Sequence, residues 1–225
     1  TPAEFKRQYL GYRRPAPEVR ARAPVLPAFA AEPRAALPAS FDWRNHKSAV
    51  VTPVKNQGQC GSCWAFSVAE TIESAWALAK HALPVLSPQQ IVDCDKGRGD
   101  LGCEGGDPPT AYEYVMAAGG LDSEAAYPYT ARDGQCAFKP SAVAASISSW
   151  TYVTKQRNET QMQHALVEKG PLSICVDATS WQFYVGGVVE HLCGDSLDHC
   201  VQIVGYETRR DWLDREIGRA SCRER

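Results

Sequence analysis

The sequence predicts an α+β fold with a helical first half and a second half rich in antiparallel strands. Three observations carry that expectation. From Cys63 to Ala79 the chain is almost wholly apolar, with Glu70 and Glu73 its only charges. That is a buried helix, entered through the turn that Gly58 and Gly61 supply. Two further helix starts follow. Ser87-Pro88-Gln89-Gln90 gives an N-cap, a proline at N1 and a glutamine at N3, opening a helix to about Cys94. Asp107-Pro108-Pro109 opens another, which Gly119-Gly120 closes. Beyond Ser146 the pattern changes to β-rich runs at 147–153, 172–176 and 186–189. One helix, about Glu159 to Lys169, interrupts them and ends at Gly170-Pro171, with Asn158 as its N-cap and Gln161 at N3.

A chain of 225 residues holds one large domain or two small lobes. Its 44% hydrophobic and 22% charged content is that of a water-soluble globular protein. A net charge of −2 gives no electrostatic basis for nucleic acid or an acidic membrane surface as partner, and no apolar run reaches spanning length. Nine cysteines point instead to an oxidising, secretory compartment. The single N-glycosylation sequon, Asn158-Glu159-Thr160, agrees, although capping by Asn158 competes with a glycan. The chain begins at Thr1 without Met, so a further segment is expected upstream.

The chemistry converges on Gln57–Phe66, Q-G-Q-C-G-S-C-W-A-F. A thiol at Cys63, in the first turn of the apolar helix, feels the positive end of the helix dipole, which favours the nucleophilic thiolate. Gln57, just upstream, can aim an amide N–H at the same place. A redox C-x-x-C pair and half of a zinc site are the other readings. Neither calls for Gln57 or for Trp64 directly after the second cysteine, and a second ligand cluster is not obvious.

With its glutamine before and W-A-F-S after, C-G-S-C-W resembles the signature of papain and cathepsin cysteine proteases. The resemblance implies a two-lobe fold with the active site in the cleft between a helical N-terminal and a β-rich C-terminal lobe. It makes Cys63 the nucleophile and Gln57 an oxyanion donor. The base is then His199, which precedes the apolar run Val201–Val204 and lies 136 residues after Cys63, within that family's interval. His81 and His164, on helical stretches, read as surface or packing residues, and His191 lacks the strand that follows His199. Cys103-Glu104-Gly105-Gly106 resembles the family's substrate-binding C-x-G-G, where glycine lets a substrate backbone approach. Trp64, Gly105, Gly106, Asp107, Cys175, Asp198 and Cys200 are the implied substrate-binding residues. Many relatives have an aromatic residue at 107; an acid there either caps the next helix, the favoured reading, or selects basic side chains.

By the same analogy Cys60 pairs with Cys103 and Cys94 with Cys136, leaving Cys63 free. Cys175 and Cys200 fall at positions lining the S2 pocket and are expected to be neighbours, bonded if their Cα atoms lie within about 7 Å. Cys193 resembles half of a third family disulfide. No metal or cofactor is implied. The implied partners are polypeptide substrates, protein inhibitors and the chain's own propeptide. The implied state is a monomer, located in the lysosome or vacuole or secreted.

Domain organisation follows. Residues 1–36 combine E-F-K-R-Q-Y-L-G-Y, similar to the end of an inhibitory propeptide, with a Pro/Ala/Arg-rich stretch. Pro15, Pro17, Pro24, Pro27 and Pro33 argue there for an extended linker without regular helix. Residues 37–215 form the peptidase domain, starting at L-P-A-S-F-D-W-R. Its orienting asparagine is not found, since Asn45, Asn56 and Asn158 are the chain's only asparagines and none follows His199. The domain is therefore expected to lack its C-terminal strands. Residues 216–225 resemble translated adapter sequence and are expected to be non-native. The function implied is a cysteine endopeptidase in truncated proenzyme form. An inactive fragment, or a ligase using the same acyl-enzyme, is the alternative.

Overall fold

A computed structural model describes residues 1–15, 17–27, 37–189 and 194–207, without the side chains of 18 and 19. Residues 28–36 with Ala36, residues 190–193 with His191 and Cys193, and the segment from 208 onward with its 216–225 tail lie outside the described residues.

Six helices and six short strands make up the described chain. Helix α1, Pro2–Tyr9, opens with a capping box in which Thr1 and Glu4 satisfy each other's backbone N–H groups. Helix α2 is the single turn and a half Pro17–Arg22. Helix α2 departs from the extended linker expected over the proline-rich stretch, whereas α1 precedes that stretch. Pro2 and Pro17 sit at helix starts, where a missing N–H costs nothing, so here proline initiates rather than excludes a helix.

Strand β1, Ser40–Asp42, precedes the long helix α3, Cys63–Leu78. Helix α4, Pro88–Cys94, is capped by the Ser87 hydroxyl, which accepts from the Gln90 N–H at 3.1 Å. Helix α5, Pro108–Ala118, ends at Gly119 in the left-handed region, φ 86°. These helices and the antiparallel pair β2 (Leu121–Asp122) and β3 (Val143–Ala145) enclose the first core. Trp64, Val68, Ile72, Leu86, Ile91 and Val115 are buried there.

The second lobe carries α6, Glu159–Lys169, whose Asn158 cap accepts from the Gln161 N–H at 3.0 Å. Strands β4 (Leu172–Val176) and β5 (His199–Ile203) form an antiparallel ladder, with Cys175 opposite Cys200 and Val176 opposite His199. Strand β6, Gly205–Glu207, returns antiparallel to β1. Of the expected strand runs, 172–176 is a strand. In 147–153 and 186–189 only Tyr152 and Val189 make bridge contacts, because Ser148, Ser149 and the Gly186-Gly187 pair break the ladder. His81 lies beyond the end of α3 and stacks on Trp76 at 4.2 Å, a packing residue outside any helix.

Glu73 is fully buried in α3 and completely partnered. Its carboxylate accepts from Thr52 at 2.6 Å, Lys55 at 2.7 Å and the Leu86 N–H at 2.8 Å. Lys55→Met would leave that charge without its cation. It is expected to cost about 3–5 kcal/mol in unfolding free energy, read by urea denaturation at pH 7.

Candidate active site

The N-terminus of α3 is fixed from three sides. The Cys60–Cys103 disulfide and the bond from the Gly61 N–H to the Cys103 carbonyl (2.8 Å) tie its entry loop to the loop before α5. Tyr129 holds the same loop by donating to the Gln57 carbonyl at 2.8 Å and sharing a hydrogen bond with Ser62. Cys94–Cys136 closes a further loop of this lobe. Below, Trp64 is fully buried and its ring lies where a Cβ on Gly106 would sit. Trp64 is thus packed beneath the edge that carries Gly106 while the cleft is covered.

Strand β5 is stitched onto α3 by side chains. Ser67 Oγ donates to the Val201 carbonyl at 2.8 Å and lies 2.6 Å from Ser173 Oγ. Gln202 Nε2 reaches the Glu70 carbonyl at 2.8 Å and Ser74 Oγ at 3.0 Å. This seam carries His199 and Cys200 to the head of α3, where the Cys200 N–H faces the Cys63 sulfur. Cys175 and Cys200 are disulfide-bonded across the ladder, Cα atoms 4.0 Å apart. Cys63 is the free cysteine among the described residues. His199 packs edge-on against Trp181, centroids 5.7 Å apart, a neighbour that no sequence signal marked.

Asp198 meets the peptide in the cleft through its backbone. Its carboxylate is engaged inside the lobe, accepting from the Ala178 N–H at 2.9 Å and Thr179 Oγ1 at 2.8 Å. Only its backbone carbonyl faces the cleft. Asp107 stands at the N-cap position of α5, where neither carboxylate oxygen makes a close hydrogen bond but the Thr110 N–H of the first turn acts on the carboxyl.

The cleft is filled by the chain's own N-terminal segment. Gln57 Nε2 donates to the Tyr9 carbonyl at 3.0 Å and to the Cys60 carbonyl at 2.9 Å. The Gly11 N–H faces the Cys63 sulfur. The Tyr12 N–H donates to the Asp198 carbonyl at 3.0 Å. Gly11 and Arg13 then pair in parallel with Gly106, through Gly106 N–H to Gly11 O and Arg13 N–H to Gly106 O, both 2.9 Å. Gln57, Cys63, Gly106, Asp198 and His199 are thus brought together around one peptide.

Covering changes the titration of both central groups. Burial pushes the Cys63 thiol up to about 11, against the pull of the Cys200, Gly11 and Trp64 N–H groups. Burial also lowers His199, opposed by the Asp198 charge and by a bond to the Tyr9 backbone. Covering therefore disfavours the charged form of both groups.

A family profile described as "Papain family cysteine protease" matches residues 37–216. Cysteine proteinase 1 of Zea mays is 45% identical over 221 residues, covering 92% of this chain and 57% of that protein. Procathepsin L of Mus musculus is 42% identical over 174 residues, covering 76% and 51%. The chain thus spans about half the length of these relatives. Among solved structures, digestive procathepsin L2 proteinase from Tenebrio molitor larval midgut superposes with a TM-score of 0.81 at 37% identity, covering 93% of this chain and 67% of that one.

A Cβ on Gly11 would run into the Gly61 carbonyl, so Gly11→Ala cannot keep this seating. Alkylation of Cys63 by iodoacetamide at pH 7 is expected to be at least about tenfold faster in that variant. In the unaltered chain the rate should climb with pH toward about 11.

Proposed function

Because the chain belongs to the papain family of cysteine proteases, we propose that it is a cysteine endopeptidase held in zymogen form by its own residues 1–15. The single observation that best supports this reading is the peptide laddered on Gly106 with its Tyr9 carbonyl on Gln57 Nε2 and its Gly11 N–H against Cys63. A polypeptide substrate needs the same groups: an edge to pair with, a nucleophile and an oxyanion donor.

Once the segment leaves, water returns to the cleft and the burial that keeps Cys63 and His199 neutral is relieved. The proton moves from thiol to imidazole, and the Cys63 thiolate attacks the substrate carbonyl carbon. The N–H groups of Cys63 and of the Gln57 side chain hold the oxyanion. His199 protonates the leaving amine, then takes a proton from the water that releases the acyl group. His199 is lowered when covered, so taken alone it favours the open state on acidification, and the proton that Cys63 gives up on uncovering offsets that uptake.

The domain reading is part of the proposal: an inhibitory segment and linker over 1–36 and a peptidase over 37–215. An oxidising compartment, lysosomal, vacuolar or extracellular, fits the three disulfides. Glycosylation at Asn158 would compete with its capping bond to Gln161.

Two variants test the roles. Cys63→Ser is expected to abolish both peptide cleavage and labelling by an epoxide thiol-protease inhibitor. Gln57→Ala should lower kcat by about 10²–10³ while labelling at Cys63 persists. Cleavage unaltered in Cys63→Ser would overturn the reading.

A further inference from the structure

Two acids in the loop between α4 and α5, Asp95 and Asp100, take no part in the chemistry of Cys63 and His199, yet they are 0% and 2% exposed. Asp100 reaches the cleft edge directly. Its Oδ1 accepts from the Asp107 N–H at 2.8 Å, and a Cβ on Gly106 would meet the same oxygen at 2.6 Å. The peptide group joining Gly106 to Asp107 therefore donates inward to Asp100 while its carbonyl accepts from the Arg13 N–H in the cleft at 2.9 Å. A carboxylate on the N–H of a peptide group strengthens its carbonyl as an acceptor. Asp95 stands within hydrogen-bonding reach of Asp100. One oxygen of each, Asp95 Oδ2 and Asp100 Oδ2, is buried without a partner. Two ionised carboxylates have no hydrogen to share, whereas one proton held between them satisfies both.

The surroundings favour that proton. Asp95 is the C-cap of α4, where the helix carbonyls oppose a negative charge. The cation facing the pair, Arg98, is partly exposed, lies 3.5 Å from Asp95 Oδ1 and is shared with Glu113 of α5 at 4.0 Å. Also from α5, Thr110 acts on Asp100 while its hydroxyl donates to the Asp107 carbonyl at 2.7 Å, and Tyr114 lies within reach of the Asp95 charge. Asp107 places a further acid beside Asp100. Burial, then the charge of Asp100, push Asp95 up to about 8, and burial raises Asp100 as well. A carboxyl raised in this way keeps its proton at neutral pH, and what the proton contributes is lost as the pH rises through that value.

We propose that Asp95 and Asp100 form a proton-sharing pair that positions the Gly106 edge, holding a peptide in the cleft while they carry one proton and loosening it when both are ionised. Asp95 donates to Asp100, and Asp100 accepts from the Asp107 N–H. Without the proton two buried negative charges face each other, and the loop that carries them is the part free to give way. Gly97 and Gly99, where an added Cβ would meet nothing, leave it room to do so. Both acids act through the edge and are positioning residues. The inference rests on the peptidase reading for what the edge binds.

The covered full chain provides the test, because Gly11 and Arg13 hang on the same edge. Alkylation of Cys63 by iodoacetamide is timed at pH 6 and pH 9 in the unaltered chain, Asp95→Asn, Asp100→Asn and Asp100→Ala. An amide in place of Asp95 donates at every pH, and one in place of Asp100 still accepts from the Asp107 N–H. Dividing the rate of the unaltered chain by that of Asp95→Asn cancels the titration of the thiol itself. The ratio is expected near one at pH 6 and at least about fivefold at pH 9. Asp100→Ala should speed alkylation at least about tenfold at pH 6, with Asp100→Asn close to the unaltered chain. Lys55→Met, destabilised elsewhere in the same lobe, should leave the rate unchanged. A ratio that stays flat with pH overturns the proposal, as does an equal acceleration in Asp100→Asn or in Lys55→Met. Should Asp100→Ala not fold, the two asparagine variants decide the matter. None of these readouts needs turnover. The peptidase reading fails separately, if the uncovered chain neither cleaves peptides nor takes the epoxide at Cys63.

Discussion

The seam between α3 and β5 is the constraint on which the site depends. The thiol sits at the head of a helix in the first lobe and the imidazole at the start of a strand 136 residues later. Nothing local holds them together. Helix α3 is buried around most of its circumference, so the polar groups it presents to β5 need partners within the seam. Ser67 bridges to Val201 and Ser173, and Gln202 caps the Glu70 carbonyl and Ser74. Each such bond adds about 0.5–1.5 kcal/mol, but losing one partner leaves a desolvated group costing about 1–3 kcal/mol. That asymmetry, more than the gain itself, fixes the register of β5. The Cys175–Cys200 disulfide sits directly after His199 and locks the same register covalently.

A site assembled this way is sensitive to what covers it. Both central groups titrate according to burial, in opposite directions: the thiol rises and the imidazole falls. On the proposed reading, covering thus removes the charge separation that would make the sulfur a nucleophile, besides obstructing the approach of another peptide. The covering peptide makes the backbone contacts that a substrate edge requires, so release of the segment and binding of a substrate compete for one set of hydrogen bonds. Gly11 is central to this competition because only a residue without Cβ can approach the Gly61 carbonyl so closely.

Much of this arrangement was legible in the sequence. Helices α3, α4, α5 and α6 announce themselves through an apolar run, Ser87-Pro88, Asp107-Pro108 and Asn158, because caps and periodicity are local physics. Glycine and cysteine spacing around Cys63, set against the family, indicated the cleft and its disulfides. Local physics was misread where Pro17 stands at the start of α2, while α1 carries its own start signal in the capping box Thr1-x-x-Glu4. What sequence could not carry is orientation. Trp64 faces the core and the Asp198 carboxylate turns inward, although both neighbour groups that line the cleft.

Asp107 shows why orientation matters for function. As letters, Asp-Pro-Pro before an apolar helix reads equally as a cap or as a charged wall of the cleft, since one residue type serves both. The two roles differ in a single physical respect, whether the carboxylate accepts from the first turn of its helix. Here neither oxygen makes a close hydrogen bond among the described residues, while the Thr110 N–H in the helix's first turn acts on the carboxyl more strongly than Arg20 of the covering segment. A cap aspartate would have its charge compensated permanently by the helix N–H groups and would be indifferent to the cleft's contents. A buried carboxyl pushed up to about 8 is mostly uncharged at neutral pH, so in the covered cleft this helix start carries little negative charge of its own.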